Sequence, residues 1–287
     1  MGNCLAPAGD VKQRRGAAAA REKAWRATGI VALPPGTKEL PRALFDDPAL
    51  SDAVKVLDAS GAGALTALPP ELARLRNLNR LVLPNNQLVS LPPELGALSA
   101  LRVLSLDGNR LESLPPGVWG GLGRLETLSL SGNRLQALPP GLGALTALKA
   151  LAAAGNDIAC LPPDLGGCAA LERLDVSGNP RLASLPPELG RLGRLKELLA
   201  DGTAVAAVPP ALLKGCAALQ TLGLHGCPIT AERLQETEGF DEFEARRRGK
   251  FSKIIAGGVA PSKGLDEGVD RELMASPITS PRSPGGS

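Results

Sequence analysis

Residues 101–122 read LRVLSLDGNRLESLPPGVWGGL, and this segment decides the fold. Its polar and apolar positions follow the spacing L-x-x-L-x-L-x-x-N-x-L-x-x-L-P-P. Leu104 and Leu106 have the period of two that places both side chains on one face of a short strand. The same spacing returns 24 residues later, at residues 125–140. A unit this short cannot bury its own apolar face, so its repetition has to build the core.

The repeat covers most of the chain. A fixed period of 23 or 24 residues with this leucine pattern is typical of a leucine-rich repeat, in which each unit contacts only its neighbours. We therefore predict an α/β solenoid of about eight repeats over residues 54–230, with a curved parallel sheet inside and short helices and Pro-Pro loops outside. The repeats begin near Val54, Leu78, Leu101, Leu125, Leu148, Leu171, Leu195 and Leu219.

Two other recurring positions of the repeat favour its backbone conformation and hydrogen bonding. The second proline of each Pro-Pro pair suits the first position of a short helix, because its missing N–H costs nothing there. An asparagine at the turn after each strand can hydrogen-bond the neighbouring turn, so a ladder of asparagines should satisfy buried backbone groups. The ladder comprises Asn86, Asn109, Asn133, Asn156 and Asn179, with Ala62, Thr203 and Cys227 at the same position of the first, seventh and eighth repeats.

Three segments flank the repeats or follow them. Residues 28–53 are expected to form an N-terminal cap, a partial repeat without its own strand, because an uncovered first repeat would expose its aliphatic edge. Residues 231–256 are expected to form a C-terminal helical cap with Phe240 and Phe243 in its core. Residues 257–287 are rich in Gly, Ser and Pro and are expected to form a disordered tail, since they cannot bury enough apolar surface to order themselves. The basic side of the cap, either a solvated face or a lipid contact, comprises Arg246, Arg247, Arg248, Lys250 and Lys253.

Residues 1–27 form a leader with two candidate lipidation positions. Removal of the initiating methionine would make Gly2 N-terminal, as in a myristoylation site, and Cys4 beside it is a candidate for palmitoylation. The usual pattern has Ser or Thr at position 6, where this chain has Ala6. One myristoyl chain binds a membrane only marginally, so a second chain or the basic residues of the leader would be needed for stable attachment. The alternative is a disordered or loosely helical leader with solvated charges.

The composition limits the cellular compartments and the classes of partner that fit this chain. The net charge is +3, with 32 basic against 29 acidic residues, which does not indicate a nucleic-acid binder. The five cysteines are odd in number and include no C-x-x-C pair, and no N-glycosylation motif occurs. An extracellular recognition module should have cap disulfides, such motifs and a signal peptide. We expect a cytoplasmic protein that is either lipid-anchored to the cytoplasmic face of a membrane or free of it.

Catalytic patterns are missing from the sequence. His225 is the only histidine, which excludes paired-histidine metal sites, and no Walker-type glycine loop or G-x-S-x-G motif occurs. Cys160, Cys168 and Cys216 lie at core or helix positions of the repeat and are expected to be small buried hydrophobic residues. We therefore expect no enzyme activity, no cofactor and no metal.

The strand positions that point away from the core line the concave surface. Arginine is enriched at interface hot spots, and Arg80 and Arg173 are the arginines of this surface. A rigid concave sheet of otherwise small residues can admit a helix or loop of a partner, although the surface could instead be merely solvated. The predicted protein-binding residues are Arg80, Val82, Val103, Ser105, Asp107, Thr127, Ser129, Arg173, Asp175, Glu197, Leu199 and Asp201.

Four features together resemble a known family over roughly residues 1–256: the MGN start, the partial cap, the L-P-P repeats and the stretch EGFDEFEARRRGKF at residues 238–251. The chain is similar to the family of leucine-rich repeat-containing protein 57 and its plant-type relatives. The L-P-P repeat is also shared with Ras-group-related intracellular repeat proteins. The resemblance implies an intracellular, non-enzymatic protein that is anchored to a membrane through its N-terminal glycine, with Gly2 and Cys4 as the lipid positions.

These observations together predict a non-enzymatic intracellular adaptor or scaffold for a protein partner. It would act in signalling, peripheral to a membrane, as a monomer that binds no nucleic acid. The alternative is a regulatory subunit that controls a phosphatase or a small GTPase.

Overall fold

The fold was derived from a computed structural model, which describes residues 8–256 and the side chains of residues 18–249. Nine three-residue strands form one parallel sheet whose spatial order is the order of the sequence. The predicted leucine-rich repeat solenoid is confirmed. The strands are β1 (Ile30–Ala32), β2 (Val56–Asp58), β3 (Arg80–Val82), β4 (Val103–Ser105), β5 (Thr127–Ser129), β6 (Ala150–Ala152), β7 (Arg173–Asp175), β8 (Glu197–Leu199) and β9 (Thr221–Gly223).

A column of aliphatic side chains at the middle strand position forms the spine of the core. Leu104 of β4, for example, pairs with Leu81 on one side and Leu128 on the other, and all three are fully buried. Replacement of such a leucine by alanine typically costs about 2–5 kcal/mol, because the neighbouring repeats collapse only partly onto the cavity. The column consists of Val31, Leu57, Leu81, Leu104, Leu128, Leu151, Leu174, Leu198 and Leu222.

Short helices cover the convex side of the sheet. They are mostly 3-10 helices, and several begin with the second proline of the pair, as predicted. Glu71 follows that proline in the first of them and lies in the first helical turn, where a negative charge is favoured. The 3-10 helices span Pro70–Arg74, Pro93–Ala97, Trp119–Gly121, Leu142–Ala144, Pro163–Gly167 and Pro187–Arg191, and the next convex helix, α4, is an α-helix at Pro210–Gly215.

The N-terminal cap differs from the prediction in one respect. Helices α1 (Ala8–Thr28), α2 (Ala43–Asp46) and α3 (Pro48–Ala53) precede the first repeat. The expectation that residues 28–53 have no strand is wrong, because β1 lies there and pairs in parallel with β2. Val31, which is fully buried, occupies the position that leucine takes in most of the other strands.

The C-terminal cap consists of α5 (Ala231–Gln235) and α6 (Phe240–Ala256). Phe243 is buried in the core and Phe240 packs against it, with 6.3 Å between the two ring centroids. Part of the basic run is structural, since Arg246 Nη2 donates to Leu213 O at 2.6 Å. Arg246 is therefore not a purely solvated residue. Among the helices of residues 8–256, none is both long enough and apolar enough to cross a bilayer.

Candidate functional site

The strand register arranges the outward side chains of the sheet in rows along the concave face. The first row is formed by the first residue of each strand: Ile30, Val56, Arg80, Val103, Thr127, Ala150, Arg173, Glu197 and Thr221. The second row is formed by the third residue: Ala32, Asp58, Val82, Ser105, Ser129, Ala152, Asp175, Leu199 and Gly223. The third row continues the alternation two residues later and includes Asp107, Asp201 and His225.

The twelve predicted binding residues all fall on these three rows, between β3 and β8. All of them are at least partly exposed. Neighbouring strands in a sheet are about 4.8 Å apart, so five strand spacings separate the ends of the set by about 24 Å. The structure therefore brings them onto one continuous surface rather than into one pocket.

Several polar residues of this surface are engaged by their own neighbours. Asp107 Oδ1 accepts hydrogen bonds from Ser129 Oγ at 2.6 Å and from Ser131 N at 2.9 Å, and Asp107 Oδ2 accepts one from Ser105 Oγ at 3.0 Å. Asp107 thus links its own repeat to the next one. Its carboxylate stabilises the surface in addition to any part that it plays in binding.

In the C-terminal half of the surface, the charged side chains pair with one another. Arg173 Nη1 lies 2.9 Å from Glu197 Oε2, and Arg173 Nη2 lies 3.9 Å from Asp175 Oδ2. Asp201 Oδ1 accepts a hydrogen bond from the backbone N–H of His225 at 2.7 Å. His225 itself is exposed, in agreement with its position in the outward series.

Arg80 has different surroundings. It is exposed, and its neighbours in the first row are Val56 and Val103. Within the part of the chain that the structure describes, its guanidinium forms no ion pair and no hydrogen bond. From the sequence, Arg80 and Arg173 were both predicted as binding residues in the same way. The structure shows that Arg173 is paired with a carboxylate and that Arg80 is not.

The predicted asparagine ladder lies directly behind this face and is confirmed. Asn109 Oδ1 accepts a hydrogen bond from Leu88 N at 3.1 Å, while Nδ2 donates to Leu83 O and to Leu106 O, both at 2.9 Å. Asn133 repeats the pattern one turn later. Because each amide joins two repeats, the ladder fixes the spacing of the strands that carry the binding surface.

A row of ion pairs at the start of the strands was not predicted. Glu126 accepts hydrogen bonds from Lys149 Nζ at 2.6 Å and from Arg102 Nη1 at 2.8 Å, and Glu172 accepts one from Lys196 Nζ at 2.7 Å. The hydrogen bond and charge of Lys149 lower the pKa of Glu126 below its usual value. The signal for this row was present in the sequence, because the residue before each first-row position often alternates in charge.

Two buried cysteines behave as predicted and one cysteine does not. Burial raises the pKa of the Cys168 and Cys216 thiols to about 11 each, which leaves them unreactive at neutral pH. The expectation for Cys160 is wrong, since it is exposed. It occupies the second variable position between Ile158 and Leu161, and that position faces solvent.

The described residues offer little for metal or small-molecule chemistry. Within residues 8–256, no cluster of three or more His, Cys, Asp or Glu side chains could hold a metal ion. An open groove of about 480 Å³ lies between α2 and the 3-10 helix Pro70–Arg74, and Phe45 and Glu71 are among the residues that line it. None of its lining residues belongs to the predicted binding surface. Gly2 and Cys4 lie outside the described residues.

Comparisons with known proteins agree with the repeat architecture. The family model described as Leucine rich repeat matches residues 76–135 and 99–158, and a second Leucine Rich Repeat model matches residues 170–192. These segments of the chain are leucine-rich repeats. Together, the fold and the relatives described next support a repeat protein that takes part in protein interactions.

Plant intracellular Ras-group-related LRR protein 7 of Oryza sativa subsp. japonica is 53% identical to this leucine-rich repeat protein over 60 residues, which are 21% of this chain and 23% of the relative. Protein 8 of the same group and organism is 44% identical over 55 residues, 19% of this chain and 15% of the relative. The chain thus matches less than a quarter of the length of these curated relatives. The predicted relationship to Ras-group-related repeat proteins is confirmed, while the more specific resemblance carried by residues 238–251 stays a prediction.

Solved structures share the fold over most of the chain. The leucine-rich repeat domain of the type III effector XopL has a TM-score of 0.61 and 23% identity, covering 80% of this chain and 91% of that one. The ectodomain of the Arabidopsis thaliana receptor kinase GASSHO1/SCHENGEN3 has a TM-score of 0.60 and 30% identity, covering 70% of this chain and 24% of that one. That ectodomain was solved in complex with CASPARIAN STRIP INTEGRITY FACTOR 2.

Proposed function

We propose that this leucine-rich repeat protein is a non-enzymatic adaptor or scaffold that binds a partner protein on its concave face. The observation that carries the proposal is the continuous exposure of the outward rows from β3 to β8 on a surface that hydrogen bonds hold in place. The GASSHO1/SCHENGEN3 ectodomain, which has the same fold, was solved with a bound partner. That precedent supports protein binding by a repeat array of this kind.

The dimensions of the surface are compatible with a protein interface. Five spacings of about 4.8 Å between β3 and β8 give a length of about 24 Å, and four to five residues at about 3.3 Å each give a width of about 15 Å. Their product, about 360 Å², matches the smaller, transient class of protein interface, which buries less than about 600 Å² per partner. The ladder behind the surface also reduces the entropy that would be lost on binding, because the strands are already ordered.

A blocking substitution tests this site. Ala152 lies in the middle of the second row, so Ala152→Arg would place a long charged side chain in the centre of the concave face. The matched control is Ala144→Arg on an exposed position of the convex helix Leu142–Ala144. Partners identified by proximity labelling in cells should be lost with Ala152→Arg and retained with Ala144→Arg. Retention of all partners by Ala152→Arg would refute the concave site.

We further propose that the protein acts in the cytoplasm as a monomer in signalling, peripheral to a membrane, with Gly2 and Cys4 as acylation positions. The support is the sequence pattern of the leader and the two-signal logic of lipid anchoring. Gly2→Ala should move the protein from the membrane fraction to the soluble fraction. An unchanged distribution would remove the anchoring proposal but leave protein binding untouched.

The alternative function is that of a regulatory subunit that controls a phosphatase or a small GTPase. The names of the plant relatives, which refer to the Ras group, point in that direction. The pure chain would then have no activity of its own but would change the rate of its partner enzyme on addition. Turnover of a substrate by the pure chain would contradict both functions.

A further inference from the structure

The first row of the concave face contains two arginines in contrasting electrostatic environments. Arg173 pairs with Glu197 of the neighbouring strand, whose carboxylate lies 2.9 Å from the guanidinium of Arg173. Arg80 pairs in the strand register with Val56 on one side and Val103 on the other, and neither carries a charge. The guanidinium of Arg173 already has the partner that a ligand would otherwise supply, whereas the guanidinium of Arg80 does not.

Apolar side chains surround Arg80 on the N-terminal half of the concave face. We define the Arg80 patch as Ile30, Val56, Arg80, Val82 and Val103, which are contiguous in the first two rows of β1 to β4. Ile30 is 50% exposed, which is unusual for a large aliphatic side chain in this structure. The patch therefore offers one free cation in the middle of accessible aliphatic surface.

The charges next to the patch do not satisfy Arg80. Lys55 is exposed at the edge of the patch, and its carbonyl oxygen accepts a hydrogen bond from Arg80 N at 3.1 Å, so two cations are adjacent there. Asp58 lies on the neighbouring strand, but its Oδ1 accepts a hydrogen bond from Ser60 N at 2.9 Å. It forms no ion pair with Arg80. The local charge thus favours an anionic ligand group, although the chain as a whole is nearly balanced.

We propose that the Arg80 patch docks a segment of a partner protein that presents an aspartate or glutamate flanked by aliphatic or aromatic side chains. This inference rests on the proposed function and specifies the chemistry of the partner. A carboxylate can accept two parallel hydrogen bonds from a guanidinium, and aliphatic contacts around that pair exclude water and strengthen it. A flat bilayer surface fits less well, because a concave face keeps Arg80 away from a planar array of headgroups.

Peptide selection provides the probe for this chemistry. Random phage-displayed peptides are panned on the immobilised full chain, and the selected sequences are synthesised with a fluorescent label. Aspartate or glutamate flanked by apolar residues should be enriched. Arg80→Gln should weaken binding of these peptides by at least about tenfold, as expected for a central arginine anchor. Arg124→Gln is the matched control, because Arg124 is another exposed arginine but lies outside the three rows, and it should change binding by less than about twofold.

A double-mutant cycle shows whether Arg80 contacts the acid directly. Replacing the selected glutamate of the peptide by glutamine should weaken binding to wild type but have little further effect on Arg80→Gln. Equal losses in both backgrounds would overturn the inference, as would equal effects of Arg80→Gln and Arg124→Gln. Peptides selected without acidic residues, or no selected peptide at all, would also overturn it.

Other outcomes separate this inference from the proposed function. If peptides bind and Ala152→Arg blocks them, but Arg80→Gln has no effect, the concave site stands and the acidic specificity is wrong. Peptide binding that survives Ala152→Arg but is lost with Arg80→Gln would support the Arg80 patch on β1 to β4, while binding that survives both substitutions would show that the concave site is wrong as well. Vesicles of phosphatidylcholine and phosphatidylserine test the membrane alternative: binding by wild type that is lost with Arg80→Gln would assign the patch to lipid and contradict the peptide proposal.

Discussion

Neighbouring repeats approach each other closely on the convex side, and one glycine tests how tightly the repeats pack there. A Cβ added at Gly143 would lie 2.1 Å from the carbonyl oxygen of Asp164 and 3.0 Å from its carbonyl carbon. Ordinary contacts at such a Cβ are 3.4–4 Å, so the helix Leu142–Ala144 would have to move away from the next repeat by more than 1 Å. The neighbouring atoms are backbone, and a rotamer change cannot relieve the overlap.

The expected cost of Gly143→Ala follows from this overlap. Overpacking typically costs about 1–3 kcal/mol and occasionally more, and the lower chain entropy of unfolded alanine offsets about 0.4–1 kcal/mol of it. Because the clash is with backbone, we expect the upper part of the range, a net loss of about 2 kcal/mol in the free energy of unfolding. Urea denaturation followed by circular dichroism at 222 nm, a wavelength that reports helical backbone, measures it.

Gly123→Ala is the matched control. A Cβ at Gly123 would meet no atom within 4 Å, and its φ is not in the left-handed region. This substitution should be neutral or stabilise the protein by up to about 1 kcal/mol, through the unfolded state alone. If both variants unfold within about 0.5 kcal/mol of wild type, the convex helices do not pack at the described distance and the reasoning is refuted.

Four further predictions concern the same architecture. Asn109→Ala should lower the free energy of unfolding by about 2–4 kcal/mol, because it leaves several buried backbone groups without partners, and a loss below about 1 kcal/mol would contradict the ladder. Arg246→Ala should cost about 1–3 kcal/mol by releasing α6 from the last repeat, measured by the same urea titration; exchange of the α6 amides that is no faster than in wild type would count against that role. Cys160 should react with a thiol reagent at pH 8 well before Cys168 and Cys216, whose raised pKa of about 11 keeps them protonated. A group with a raised pKa binds its proton more tightly when folded, so these two thiols should stabilise the fold fully below about pH 9, the ordinary thiol pKa, and lose that contribution as the pH rises towards 11. A flat stability curve across that range would contradict their burial.

Features that repeat in the sequence could be predicted, because each occurrence reinforces the others. The alternating leucines of residues 101–122 and the asparagine at position 109 determine strand, register and ladder together, since a one-residue slip would turn every leucine towards solvent. The strand β1 occurs once, with Val31 in place of leucine, and a single valine does not establish a period. It was missed for that reason.

Features that depend on pairs distant in the sequence could not be predicted from the repeat alone. The partners of Arg246 are backbone carbonyl groups, which have no side-chain signature, so the capping role of this arginine was not visible. Arg80 and Arg173 occupy the same repeat position, and only their cross-strand neighbours distinguish them. Since those neighbours are about 24 residues away, the difference becomes readable once the register is known.

The claim that the concave face is the recognition surface can be measured directly by hydroxyl-radical footprinting of the full chain, alone and with a captured partner. Val82 and Val103 lie in the outward rows, and Val89, which is 49% exposed outside those rows, is the internal reference. We predict that the partner reduces oxidation of Val82 and Val103 and leaves Val89 unchanged. Protection of Val89 with undiminished oxidation of Val82 and Val103 would contradict the account.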